Sequence, residues 1–365
     1  MASIKITEVK EEKDYTPLSV APTASFHQSF FYGRWQEKMG RRVRRFKIER
    51  DGRSWGFFQI TTYPLILGKN YCYIPHGPIL AGEPDEVFLQ EFRRTIARVL
   101  KEERGVFARF DFYSRPHDGI GVNPAFNGQI RHRGYKKTPP YAYQSASFQS
   151  KFNWVVNIDK NPEELLASTH SKTRYRIRYA EKHGVTTEVA DGEDMQEHFE
   201  TFCGLMRETA SRAKFNLHPI KYYRAIFDDA LTNPKINLVL SRYQDEILAT
   251  YIIVYFGDIA FYPLGASNRN HKELMPTYLT HWRAILEGQK NGCKYYNFGA
   301  VNVGDKLHNQ MWEGISEFKT RFKGEVLTYN DSYDIVGQPF WYILYNLRKK
   351  IRPPAHKKAM KLEEE

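Results

Sequence analysis

The chain has 365 residues, with 54 Lys and Arg against 42 Asp and Glu, for a formal net charge of +12. Hydrophobic residues make up 41% and aromatic residues 15%, ample for buried cores, which excludes a disordered or fibrous chain. At roughly 150 residues per domain the length points to two domains, or one large one, and the basic surplus points to a polyanionic partner: nucleic acid, nucleotide phosphates or an anionic membrane face.

The N-terminus is charged almost from its start, and the longest apolar stretch, Leu248 to Tyr262, is too short to span a bilayer and carries Asp258. Neither a signal peptide nor a spanning helix is expected. Cys72, Cys203 and Cys293 lie far apart without CxxC spacing, so neither a disulfide framework nor a cysteine zinc site is supported. A cytoplasmic protein that holds no metal or cofactor is the expectation.

In chain order, Phe26 to Arg42 reads as a loop entering a helix, followed by strands over Arg45 to Ile48, Ser54 to Tyr63 and Tyr71 to Ile74. Pro75 and Pro78 cannot extend a central strand, so the last of these ends near Ile74. Pro84 to Arg104 has helical apolar spacing, and Ala108 to Ser114 reads as a buried strand. The order then recurs. Phe261-Tyr262-Pro263-Leu264-Gly265 repeats the aromatic-x-Pro-x-Gly pattern of Tyr73 to Gly77, a helical run over Tyr278 to Gln289 follows, and Asn297-Phe298 takes the place of Asp111-Phe112. The separations are 38 residues from Tyr73 to Asp111 and 36 from Phe261 to Asn297, which suggests two copies of one α/β unit.

Between the copies, one helix is expected from the cap Asn161, with Pro162 in its first position, to the terminator Gly184. Arg174, Arg178 and Lys182 stand one turn apart on it, beside Lys172 and Arg176. Such a cationic stripe suits a phosphate backbone, and it equally suits a solvated helix face. In Thr209 to Phe215, Arg212 falls where a helix gives way to a loop and can reach a phosphate, or form a surface ion pair. Gly314 to Val326 alternates aromatics with cations, with Phe318-Lys319 followed by Arg321-Phe322-Lys323. A Lys beside a phenyl ring in a partly dry site stabilises a developing oxyanion; the same alternation fits a strand with two faces.

No GxSxG or HExxH occurs, and His76, His170 and His281 read as structural or surface groups. The Gln/Arg-x-x-Gly-x-Gly/Ala loop that cradles the pyrophosphate of CoA is also missing, the chain reading GASNRNHKELMPTYL at that place.

Seven blocks in order, FHQSFFYGRWQ, YIPHGPIL, KTRYRIRYAEKHGV, TASRAKF, FYPLGASNRNHKELMPTYLTHWRAI, GCKYYNFGAVN and EGISEFKTRFKGE, resemble the Fem family (FemABX) of peptidoglycan interpeptide-bridge aminoacyltransferases. The resemblance implies an α/β fold of two tandem acetyltransferase-like (GNAT-like) domains with mixed sheets flanked by helices. Residues 1–149, completed by 328–365, would form the first domain and 150–327 the second. With no long heptad run, the chain resembles members without a coiled-coil arm.

The implied reaction transfers an amino acid from aminoacyl-tRNA to a stem-peptide amine of a nucleotide-linked (UDP) or lipid-linked muropeptide, by a monomeric enzyme. Lys319, with Phe318, looks like the family lysine at the transferred acyl group, and Arg212 like the arginine on the precursor's phosphates. Gln36 falls where members often carry a Lys on the same phosphates, with Lys38 two residues on. Tyr73, Asp111 and Tyr262 sit where members line the precursor cleft, and Asn297 replaces a common Asp. The stripe of Lys172, Arg174, Arg178 and Lys182, with Lys323, is assigned to tRNA. Rival readings are an N-acyltransferase with another donor or acceptor, and an RNA-binding relative without catalysis. Finally, the apolar face of FWYILYNLRKKIRPPAHKK is expected to close the first domain, with contact to the inner face of an anionic membrane as the alternative.

Overall fold

A computed structural model describes residues 3–111, 136–137, 149–213, 215–302 and 309–351, with the backbone alone at 136–137, 309–313 and 349–351. β1 (Ile4–Val9) is followed by α1 (Phe30–Lys38), whose cap Ser29 accepts from the Tyr32 N–H at 3.1 Å. β2 (Arg42–Arg50) and β3 (Arg53–Pro64) form a hairpin, and β4 (Asn70–Ile74) stops before Pro75, which has no N–H for the ladder. The short β5 (Ile79–Leu80) pairs with β3. α2 (Glu86–Glu102), capped by Asp85, buries Phe88, Phe92, Ile96 and Val99 on one face and leads into the fully buried β6 (Gly105–Phe110). β7 (Lys136–Lys137) is a two-residue strand. Phe112 to Ser114, expected to extend the strand from Ala108, and the cations beyond Ile351 lie outside the described residues.

β8 (Phe152–Asn157) comes next, and the single helix expected from Asn161 to Gly184 is two. α3 (Pro162–Ser168) has the expected cap, Asn161 Oδ1 accepting from the Glu164 N–H at 2.9 Å. Thr169 and His170 are extended, and α4 (Ser171–Lys182) starts afresh with His170 Nδ1 accepting from the Lys172 N–H. The break has a tertiary cause: the His170 N–H and the Thr173 hydroxyl both donate to the Arg321 carbonyl, at 3.1 and 3.2 Å. Gly184, at φ +85, ends α4 as expected.

The chain continues through β9 (Val185–Ala190), α5 (Gly192–Glu197), α6 (Phe199–Ala213), α7 (Ile220–Ala230), β10 (Ile236–Tyr243), β11 (Glu246–Phe256) and β12 (Ile259–Ser267). α8 (Pro276–Lys290), β13 (Tyr295–Ala300), α9 (Asn309–Thr320), β14 (Glu325–Thr328), β15 (Tyr333–Val336) and α10 (Pro339–Ile351) complete it. The aromatic and cationic alternation over Gly314 to Val326 therefore falls mainly on a helix end and a turn, with β14 starting only at Glu325.

Two compact units result. The first runs to Lys151 and takes back the segment from Leu327; the second comprises Phe152–Val326. The first sheet has the order β1-β2-β3-β4-β6-β15-β7, and the second β14-β8-β13-β12-β11-β10-β9. Each contains a parallel pair built from the repeated motif: β4 with β6, and β12 with β13. The register corrects the equivalence expected from the sequence. Tyr73 pairs with Arg109, as Phe261 pairs with Asn297, so Arg109, not Asp111, is the counterpart of Asn297.

Arg109 also ties the returning segment into the first unit. Its guanidinium donates twice to Asp334, at 2.8 Å each, both side chains being buried, and Tyr342 Oη donates to the same carboxylate at 2.8 Å. Asp334→Ala should cost about 3–5 kcal/mol in urea unfolding, because the buried Arg109 then loses the Asp334 carboxylate. Arg109→Met combined with Asp334→Leu should recover most of that loss. A double variant as unstable as the single one would contradict this reading of the pair.

Candidate active site

β12 and β13 run parallel for three residue pairs, Ile259 with Tyr295, Ala260 with Tyr296 and Phe261 with Asn297, and then part. β12 continues to Ser267 along β11, with a register shift at the level of Tyr262 and Pro263 that suits a residue lacking an N–H. β13 turns away at Gly299, whose φ of +76 favours glycine, and its pairing with β8 is interrupted between Asn297 and Ala300. Asn297 Oδ1 accepts from the Gly299 N–H at 2.8 Å and braces the turn, while its buried Nδ2 has no partner among the described residues.

α9 delivers Lys319 to this divergence. Its side chain is 7% exposed, and Nζ donates to the Ala300 carbonyl at 2.7 Å. A Cβ on Gly299 would lie 3.9 Å from that Nζ and 3.6 Å from the Tyr262 carbonyl, so the ammonium sits between the parting strands. Among the described residues no carboxylate pairs with it, and burial lowers its pKa to about 7.

The walls are aromatic. His281 of α8 is buried, its ring 4.4 Å from Tyr251, 4.8 Å from Tyr262 and 5.3 Å from Phe318, with Nδ1 3.1 Å from Tyr296 Oη. Burial first, then the Lys319 charge, holds His281 well below its usual pKa, so it is neutral and the lysine is the charge of the site. Tyr262 lies over Gly265, where a Cβ would come within 2.1 Å of its hydroxyl. Phe318 packs 4.7 Å from Tyr278, whose hydroxyl accepts from Arg321 at 3.0 Å and from Arg176. Together with the grip of α4 on the Arg321 carbonyl, these contacts fix the end of α9 and hence Lys319.

Arg212, in the last turn of α6, is exposed and donates to the Ser267 carbonyl at 3.0 Å, at the far end of β12. The Thr209 hydroxyl, exchanging hydrogen bonds with the Ser267 backbone at 3.0 and 3.1 Å, secures the same junction. Burial and the nearby Arg269 lower the pKa of Arg212. Of the cationic stripe, Lys172, Arg178 and Lys182 are exposed, as is Lys323, whereas Arg174 is half-buried and donates to the Ala167 and Thr169 carbonyls at 2.8 and 2.5 Å.

The remaining residues belong to the first unit. Gln36 is buried, its Oε1 accepting from Arg41, while Lys38 is exposed at the end of α1. Tyr73 is a core residue whose hydroxyl accepts from the Gln149 N–H at 3.3 Å. Asp111 is buried, accepts from the His76 N–H at 2.8 Å, and has its pKa pushed well up by burial. His170 caps a helix at the surface. The sequence reading passed over His281, Tyr251 and Tyr296 as site groups. Only the helical spacing of Tyr278, His281 and Ile285, which marks His281 as inward-facing, could have signalled one of them.

Comparison with known proteins shows the family and the fold. The FemAB family model matches residues 10–240 and 232–350. The lipid II:glycine glycyltransferase of Staphylococcus aureus is 21% identical over 391 aligned positions, covering 88% of this chain and 89% of that one. Its namesake in Staphylococcus haemolyticus is 20% identical, with 87% and 89% covered. Among solved structures, FemX superposes with a TM-score of 0.79 at 18% identity, covering 93% of this chain and 99% of that one. A tandem GNAT protein from the clavulanic acid biosynthesis pathway superposes at 0.54 and 7% identity, covering 92% and 99%. The fold is thus two tandem acetyltransferase-like units, each a mixed sheet flanked by helices.

A buried ammonium opposes folding. Below pH 7 Lys319 is protonated in both folded and unfolded chains, and the full cost of burying its charge applies. Between about 7 and the unfolded value of about 10.4 the unfolded chain binds the extra proton, so stability rises with pH and the cost disappears. Lys319→Met should therefore stabilise the protein, on the order of 4–5 kcal/mol at pH 6, with the gain shrinking towards pH 10. Urea melts across that range check this; a gain independent of pH would show that the lysine keeps an ordinary pKa.

Proposed function

The chain belongs to the FemAB family and is an aminoacyltransferase, and from that membership we propose that it moves an amino acid from aminoacyl-tRNA onto a stem-peptide amine of a peptidoglycan precursor. The observation that carries this reading is the buried ammonium of Lys319, held by the Ala300 carbonyl and without a carboxylate among the described residues, at the point where β12 and β13 part.

The reaction is ester aminolysis. The incoming amine forms a C–N bond to the ester carbonyl, the carbonyl oxygen becomes an oxyanion, and the C–O bond to the ribose then breaks as that hydroxyl regains a proton. An aminoacyl ester is already activated, so positioning and charge stabilisation are the main tasks. Lys319, with its pKa near 7, is partly protonated at neutral pH and holds its proton more firmly once a negative oxygen forms beside it. The dry aromatic walls make that charge worth more than it would be in water. A Lys-type acceptor amine, with a pKa of about 10.4, must lose a proton before attack. That proton leaves through substrate groups or water.

Arg212 suits the phosphates of the precursor. From Tyr262, beside the lysine, to Ser267, which Arg212 touches, β12 advances five residues, or about 16 Å at about 3.3 Å per residue. A precursor whose phosphates are separated from the reacting amine by a sugar and several peptide residues fits that span. The S. aureus and S. haemolyticus relatives are named for lipid II, which supports a lipid-linked acceptor. Lys172, Arg178, Lys182 and Lys323 are exposed cations available to a tRNA backbone. Arg174, committed to helix carbonyls, can contribute only through its remaining donors.

The test is transfer of label from charged total tRNA to nucleotide-linked and lipid-linked precursors. Lys319→Ala should lower the single-turnover rate at saturating substrate by about 10²–10³-fold, while Arg212→Ala should mainly raise KM for the precursor. Absence of transfer with every charged tRNA would shift the donor to another acyl carrier. A near-normal rate in Lys319→Ala would remove the lysine from the chemistry.

A further inference from the structure

α10 has two apolar faces, and the first unit uses one of them. Trp341, Tyr342 and Tyr345 pack into a cluster with Tyr71, Tyr73 and Phe107, so the helix closes that unit as its sequence suggested. On the other face Phe340, Ile343, Leu344 and Leu347, spaced as one helical stripe, are 68%, 59%, 41% and 47% exposed. A second group lies beside it. Leu65 and Trp341 pack against the same cluster, Lys69 Nζ is 5.4 Å from the centroid of the Trp341 ring, and the turn between Leu65 and Lys69 displays Ile66 at 53% and Leu67 at 74% exposure. Leu67 also has φ +55, a left-handed conformation costing a non-glycine residue roughly 1 kcal/mol. Neither burial nor backbone preference accounts for a leucine there.

We propose that this stripe and turn form a docking face for an anionic lipid surface, on which α10 lies in the plane of the interface. The chemistry around the patch selects that partner. Exposed Arg348 continues the helix from Leu347, Lys349 and Lys350 follow in sequence, and Lys69 and Arg104 flank the turn, with the Arg104 guanidinium 3.6 Å from the Cβ position of Gly68. Apolar side chains entering the acyl boundary with cations at the headgroups is the pattern of a surface-lying amphipathic helix. At about 1.5 Å per residue the helix is about 20 Å long, short of the roughly 30 Å a spanning segment needs. A second copy of this chain fits less well, because a two-fold contact through the same patch sets these cations against their own copies.

The face lies outside the groups assigned to transfer, and its readout needs no catalysis, so failure of either reading is visible apart from the other. The full chain is sedimented with vesicles of phosphatidylglycerol and phosphatidylcholine in equal parts, and with phosphatidylcholine alone. Binding to the anionic vesicles is expected, weakened by salt and by Arg348→Glu with Lys350→Glu. Ile343→Asp with Leu347→Asp should weaken it at least about tenfold while leaving the thermal midpoint unchanged. Leu67→Ser with Phe340→Ser, also confined to exposed positions, keeps the test decisive if the first variant loses its fold. No binding to anionic vesicles, or undiminished binding by both apolar variants, would overturn the proposal. So would a dimer that these substitutions dissolve, which would assign the face to a second copy.

Discussion

Two parallel strands that separate after three residue pairs leave a place where a charged amine can be held against a main-chain carbonyl with little water nearby. Much of the second unit serves that place. Gly299 and Asn297 shape the turn by which β13 leaves, and Pro263 lies where β12 shifts register on β11. His281, Tyr251 and Tyr262 form the walls without adding charge. α4 starts afresh at Ser171 so that its first turn can hold the Arg321 carbonyl, two residues beyond Lys319. An unpaired buried ammonium costs stability, so these contacts must over-determine its position.

The positive surplus has several different uses. Arg109 is structural, locked to Asp334; Arg174 closes the end of α3; Arg176 and Arg321 share the Tyr278 hydroxyl. None of these is a free positive site for a large polyanion. Lys172, Arg178, Lys182 and Lys323 are open to solvent, and Arg348 continues an exposed apolar stripe. The number of cations therefore overstates what is available for binding, because some of them are committed to partners within the fold.

Features that depend on neighbours in sequence were legible before the structure. The end of β4 before Pro75, the Asn161 cap and the Gly184 terminator follow from local backbone chemistry, and the repeated order of elements exposed the duplication. What depended on tertiary partners was not legible. The break at Thr169 and His170 needs the Arg321 carbonyl, 151 positions after His170 in the chain. The counterpart of Asn297 was misplaced by two residues, because Asp111 matched it in kind while the strand register selects Arg109. Lys319 was found through the family pattern, whereas its wall His281 looked like any other scattered histidine. The inward face of α10 was expected, but a second apolar face on the same helix could not be told from the first by spacing alone.

A titration of Lys319 itself reports whether the charge at the strand divergence is buried. With lysine labelled at ¹³Cε and the Lys319 resonance assigned by its loss in Lys319→Met, the Lys319 amine should titrate with a midpoint near pH 7. A midpoint above about 10, the value of an ordinary solvated lysine, would contradict it.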